Sequence, residues 1–262
     1  LHHGLSGKGH KITLVEAREH LGGRYHRPNP AQPFASPALD FVPASPEVLA
    51  LLEWLRNTSP VPIHFSAYDH HPQIFDEGKW RPFSGFGETA FQSVSELTSL
   101  FSFTQGLTLT PGLEQLTRSL CEQLPVAALP MHEVTGCKVR DGRICEVTIN
   151  GDKTWSAQNI IFTGHPSALQ NLFVGEELPV KHRTRLAKMD SWTAVTLELQ
   201  HSPPLAEDSA IRFFSHSSKE FEPVVGRVFG ATSKWMTLVP DDREADHEFV
   251  GQCIRHIKRQ LK

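Results

Sequence analysis

Apolar positions along the chain change their period several times, and each change predicts an element. Lys11 to Ala17, KITLVEA, is β-branched and almost continuously apolar. That pattern predicts a short strand covered on both faces. Leu1 to Ser6 reads as the end of a helix and GKG (Gly7–Gly9) as the turn into the strand, an order that suits a βαβ unit lacking its first strand. Pro28 to Pro46 is rich in Pro, Ala and Ser and predicts an irregular crossing segment. Ser45-Pro46-Glu47 then opens a helix, with Ser as cap, Pro at the first position, and Val48, Leu49, Leu51, Leu52 and Leu55 as its apolar set. TPGLEQLTRSLCEQL predicts a second helix. Thr110 is its expected cap, Pro111 its first residue, and Leu113, Leu116, Leu120 and Leu124 its buried face.

Ser59 to Phe86 is aromatic and proline-bearing and predicts several short strands. After the second helix the period falls to two. EVTGCKV, ICEVTI and KTWSA are strands joined by turns at Asp141-Gly142 and Asn150-Gly151, dipeptides that favour tight hairpins. NIIFTG (Asn159–Gly164) predicts one more apolar strand, and HPSALQNLF begins a helix. Ser191–Gln200 alternates as a strand should, Ile211–Phe214 and Val224–Phe229 are further strands, and Arg243–Lys262 is an amphipathic helix. There is no internal repeat and no low-complexity tract.

Composition narrows the class. The chain has 262 residues, 39% hydrophobic and 21% charged, with a formal charge of −3. This is a globular composition, long enough for one large domain or two interleaved ones. No long basic block argues for nucleic acid as a partner, and no apolar stretch is long enough to span a bilayer. The four cysteines form no CxxC pair, so a reducing, cytoplasmic setting is expected rather than a disulfide scaffold. Fifteen histidines invite a metal reading. But His2-His3 and His70-His71 are adjacent pairs whose side chains diverge, and no HxxxH or HExxH spacing occurs. GLSGKG resembles a phosphate loop only superficially, because Gly9 follows Lys8 where Ser or Thr is needed and the strand comes after rather than before. No G-x-S-x-G elbow supports a hydrolase. Asp69-His70-His71 and Asp76-Glu77 read as a solvated loop.

The stretch GHKITLVEAREHLGGRYH carries the candidate chemistry. A carboxylate at the carboxyl end of a buried strand faces the crevice of a dinucleotide-binding sheet. There Glu16 can accept two hydrogen bonds from a ribose diol. Gly22 and Gly23 let a backbone approach phosphates closely, and Arg24 offers a forked cation to them. The same residues also fit a surface strand ending in a solvated glutamate, followed by a glycine helix cap.

The order of these parts resembles the second strand and GGR motif of the FAD-dependent amine oxidase, phytoene desaturase and protoporphyrinogen oxidase superfamily. The block from Leu109 to Leu169 is similar to that family's middle section: a helix, a strand opening on Glu133-Val134, a meander, and a strand ending near the cofactor. The resemblance implies FAD as cofactor, with Glu16 on the ribose and Ala17 and Arg18 by the adenosine. It implies that Gly22, Gly23 and Arg24 lie along the pyrophosphate, that Val134 meets the flavin nucleotide through its backbone, and that Thr163 and Gly164 lie near the phosphates or ribose. The implied fold is α/β, a Rossmann-like FAD/NAD(P)-binding domain interleaved with a mixed-sheet α+β substrate domain. Residues 1–45 and 106–175 would form the first, and 46–105 and 176–262 the second.

Four departures qualify the match. The glycine loop expected about 20 residues before Glu16 would fall before Leu1, and the Gly-Asp segment that normally closes the family fold is missing. A chain cut at both ends is therefore expected. Ala194 stands where many amine oxidases of the superfamily carry a lysine, which favours the desaturase and porphyrinogen-oxidase side. Ala35–Leu39, ASPAL, replaces an acidic crossing segment. The expectation is a FAD-dependent oxidoreductase removing hydride from a small or apolar organic molecule, cytoplasmic or peripheral to a membrane. No catalytic residue can be assigned. Two alternatives stand beside it: a non-catalytic binding module that keeps the flavoprotein fold, and an NAD(P)-binding oxidoreductase. The GGR run argues against the second, and Glu16 would repel a 2′-phosphate.

Overall fold

The computed structural model describes residues 8–26, 42–59, 61–69, 71–86, 105–124, 128–173, 178–189, 191–205, 208–214 and 221–262. The chain divides into two units, each made from two separate stretches. One is Leu1–His26 with Cys121–Ser191, and the other is Arg27–Leu120 with Trp192–Lys262. The expected helix end at Leu1–Ser6 and most of the crossing segment, Ala35–Leu39 included, lie outside the described residues, as does His70.

In chain order the strands are β1 (Val42–Pro43), β2 (His64–Asp69), β3 (Gln73–Asp76), β4 (Lys79–Pro82), β5 (Gln105–Thr110), β6 (Val134–Arg140), β7 (Arg143–Ile149), β8 (Lys153–Ser156), β9 (Trp192–Gln200), β10 (Asp208–Phe214), β11 (Val224–Phe229) and β12 (Thr232–Pro240). The helices are α1 (Pro46–Thr58), α2 (Leu113–Glu122), α3 (Pro166–Leu169), α4 (Val180–Ala187) and α5 (His247–Gln260). They form an α/β fold with a mixed sheet. Its largest layer has six strands in the order β4-β3-β10-β11-β12-β9, antiparallel throughout except for the parallel pair β3–β10. None of its described helices is long and apolar enough to cross a membrane.

The core of the larger unit lies on both faces of that six-stranded sheet. Side chains alternate between the faces. Val224, Val228, Trp235, Val195 and Val239 therefore meet Phe249, Cys253 and Ile257 of α5. The spacing of these α5 residues puts them on one helical stripe, and burying each large side chain contributes about 1.5–3 kcal/mol. On the other face Ile211, Phe213, Val225, Met236 and Leu238 pack with Ile74, Phe83, Phe86, Trp192 and Ala194. Asp246 starts α5 by accepting from Phe249 N at 2.9 Å. α1 begins as its sequence predicts, with the Ser45 hydroxyl accepting from Val48 N at 3.3 Å. It packs through Leu55 against Val61, Ile63 and Leu116.

Several expectations need correction. Lys11–Ala17 is not a full strand covered on both faces. Only Val15 is bridged, to Leu129, and none of the seven residues is buried. Strand character requires a ladder, and a β-branched apolar run alone does not supply one. Thr110 does not cap the second helix. It ends β5, opposite His64, and α2 begins at Leu113. NIIFTG is irregular rather than a strand, with Ile161 59% exposed; no ladder partner flanks it among the described residues. β1 interrupts the crossing segment, and β5 and β12 were not legible in advance.

Candidate functional site

The sequence-predicted cofactor residues fall in the smaller unit, and backbone hydrogen bonds bring part of the set together. The opening stretch runs parallel to residues 129–132. Glu16 N donates to Leu129 O at 3.0 Å and Leu129 N to Leu14 O at 2.9 Å. His132 N then donates to Glu16 O, and Met131 N to Arg18 O, both at 2.9 Å. Parallel strands need long connections, and this pairing joins segments more than a hundred residues apart. It sets Glu16, Ala17 and Arg18 beside the peptide that leads into Val134 at the start of β6.

The Glu16 carboxylate is half-buried and turns back on its own loop, with Oε1 accepting from Arg18 N at 2.9 Å. That bond orients one oxygen and leaves acceptor capacity for a diol. The chain then reaches Gly22, whose φ of +102° opens a single 3₁₀ turn over Gly23–Tyr25. Gly23 also has positive φ, and an added Cβ there would meet nothing within 4 Å. Glycine is therefore required by conformation, while the space beside Gly23 stays open. Arg24 sits inside this turn. His26 closes it, stacked on His20 at 4.3 Å between ring centroids. His26 Nε2 is closed to water and meets no hydrogen-bond partner among the described residues.

Other members of the predicted set stand apart. Thr163 and Gly164 are exposed, and no hydrogen bond among the described residues ties either to Glu16 or Val134. Gly164 has a packing reason of its own, since a Cβ there would come within 2.6 Å of the Phe162 ring.

Asn150 is a positioning residue that the sequence reading treated only as a turn former. It occupies the hairpin turn with φ +52°. Its side chain clamps the segment before β6: Oδ1 accepts from Glu133 N at 2.8 Å, and Nδ2 donates to Met131 O at 3.0 Å. Its own N–H donates to Glu133 O at 2.8 Å. The carbonyl of Glu133 and the backbone of Val134 are thus fixed from the far end of β7. His132 donates through Nδ1 to Pro130 O at 2.7 Å, and its ring lies near Trp155. A polar turn residue flanked by two strands was the available signal for Asn150; its partners were not.

A carboxylate with spare acceptor capacity, a glycine turn with open space, and an unpartnered imidazole nitrogen lie along one short stretch. Among the described residues no group of three or more His, Cys, Asp or Glu side chains forms a metal-binding cluster.

No family model matches the sequence, and no curated protein matches it. Solved structures do share its fold. An oxidoreductase from Methanosarcina mazei aligns with a TM-score of 0.66 at 11% identity, over 99% of this chain and 81% of that one. Putrescine oxidase bound to putrescine aligns at 0.59 and 13% identity, over 98% and 77%. A protein from Pyrococcus furiosus aligns at 0.58 and 12% identity, over 98% and 81%. At these identities the likeness is one of architecture: the chain has the mixed-sheet α/β fold of solved oxidoreductases.

Proposed function

We propose that the chain is an FAD-dependent oxidoreductase of the desaturase or oxidase type, acting on a small or apolar organic molecule. The observation that carries this reading is the parallel pairing of Leu14–Glu16 with Leu129. It gathers Glu16, Arg18 and the approach to Val134 in one unit, which supports a shared role for them. The shared architecture with an oxidoreductase and with putrescine oxidase supports it. On this reading the unit of Leu1–His26 and Cys121–Ser191 holds the cofactor, and the other unit forms the substrate side.

Glu16 would bind the adenosine ribose, with Ala17 and Arg18 beside it. Gly22, Gly23 and Arg24 would follow the pyrophosphate, and His26 Nε2–H would donate to a phosphate oxygen. Val134, held by Asn150, would offer its backbone to the nucleotide, and Thr163 and Gly164 would border it. When bound, FAD supplies the hydride acceptor, so the protein's task is to bind and orient.

FAD binding by the purified chain tests the reading, compared between wild type and Glu16→Ala. Losing a charged hydrogen-bond acceptor weakens FAD roughly ten- to hundredfold, while riboflavin, which has no adenosine ribose, is unaffected. Equal loss of both ligands, or no loss of either, removes Glu16 from the site. A second reading, a non-catalytic module that keeps the fold, is favoured by the exposed, unladdered Ile160–Phe162 run. A wild-type chain that takes up no FAD, even when extended upstream through the expected glycine loop, selects it.

A further inference from the structure

The larger unit holds one full positive charge in a setting that demands an anion. β11 reads VVGRVF, and five of its six residues are buried. Arg227 is among them, only 6% exposed. Its Nε and Nη1 are shut off from water and meet no hydrogen-bond acceptor among the described residues. Instead the guanidinium lies over two rings, 5.3 Å from the centroid of Tyr68 and 4.9 Å from that of Phe229. Aromatic faces attract a cation, but they satisfy none of the N–H groups at the edge of the fork.

Arg227 makes no ion pair among the described residues. Arg227 is opposite Lys234 in the ladder, and Lys234 is opposite Glu198. Residues directly opposed share a face of the sheet, so Arg227, Lys234 and Glu198 form one row across this face. Lys234 also reaches over the Phe229 ring, at 5.6 Å. Tyr68 is set in place by Gly106 on β5, where a Cβ would meet the ring carbon Cζ at 2.5 Å. Burial pushes the Tyr68 phenol above its ordinary pKa, and Arg227 pulls it back. An unpaired buried charge is costly, and an apolar residue of similar volume is usually better tolerated there.

We propose that Arg227 recognises the carboxylate of a small organic acid whose aromatic or other apolar body packs against Tyr68 and Phe229. The planar fork matches a planar carboxylate. A single arginine walled by rings is poorly suited to a doubly charged phosphate. The inference is independent of the flavin reading, because all these residues belong to the larger unit and the test uses no flavin.

The test is calorimetric titration of the full chain with benzoate, its neutral analogue benzamide, and inorganic phosphate. Benzoate binds wild type, while benzamide and phosphate bind at least about tenfold more weakly. Arg227→Met weakens benzoate roughly ten- to hundredfold, and Arg227→Lys, which keeps the charge but loses the fork, falls between. Without ligand Arg227→Met melts no lower than wild type, because it removes an uncompensated buried charge. If Arg227→Met does not fold, Arg227→Lys carries the comparison. Three results overturn the proposal: equal benzoate affinity in wild type and variant, phosphate binding in preference to benzoate, or no benzoate binding up to about 10 mM. A ligand-free melting point lowered in both variants would likewise assign Arg227 a structural role.

Discussion

Replacing Asn150 isolates what holds the approach to β6 in place. Asn150→Gly keeps the turn, because glycine adopts the observed φ of +52° without strain. It removes the acceptor for Glu133 N and the donor to Met131 O. Each such bond contributes about 0.5–1.5 kcal/mol net, and both are exposed, so the lower end applies and the pair is worth about 1 kcal/mol. Asn150→Ala loses the same bonds and also forces a Cβ into the left-handed region, adding about 1 kcal/mol or more. The two variants therefore separate the clamp from the turn. Amide hydrogen exchange reads the clamp directly, because the Glu133 N–H is held by the Asn150 side chain. In Asn150→Gly the Glu133 amide should exchange roughly fivefold faster, in line with a loss of about 1 kcal/mol, while Val147 in mid-β7 changes little. Unchanged Glu133 exchange in Asn150→Gly would refute the clamp. Equal stability of the Gly and Ala variants would refute the backbone argument.

Two further substitutions probe the larger unit. An alanine Cβ at Gly226 would run into the Trp235 ring and the Lys234 carbonyl. Gly226→Ala should therefore lower the urea midpoint by an amount equivalent to about 2 kcal/mol or more, and a wild-type midpoint would contradict the packing of β11 on β12. Asp246 is held below its ordinary pKa by the hydrogen bond from Phe249 N and by Arg243. A depressed carboxylate contributes stability above its unfolded pKa, about 3.9, and loses it as pH falls through the folded value. The midpoint difference between wild type and Asp246→Ala should therefore be full at neutral pH and shrink below about pH 4. A difference that stayed constant down to pH 2 would show that the charge plays no part.

The readable parts of the sequence were those whose chemistry is local. Ser45-Pro46 marks α1 because a cap and a fixed φ act within one turn, and the meander β6–β8 is set by Asp141-Gly142 and Asn150-Gly151. What stayed illegible depends on partners distant in sequence. KITLVEA looks like a buried strand, yet its single bridge comes from Leu129. Thr110 looks like a cap, but its place opposite His64 in β5 outweighs that propensity. β12 hides its role because Ser233 and Thr237 are buried polar residues that break the apolar alternation. Of the candidate site, the Glu16 stretch was readable from a carboxylate after an apolar run. Its alignment with Met131 and His132, and the clamp from Asn150, came only with the fold. Arg227 is a charge inside VVGRVF; only the fold shows that its Nε and Nη1 are buried and meet no acceptor among the described residues.

The most direct test of the central claim is to titrate FAD into the purified 262-residue chain and follow the flavin's visible absorption and fluorescence. The account predicts saturable binding with a perturbed flavin spectrum, weakened by Glu16→Ala. A chain that folds, yet leaves the spectrum of free FAD unchanged at every concentration both as these 262 residues and when extended upstream through the expected glycine loop, would contradict it.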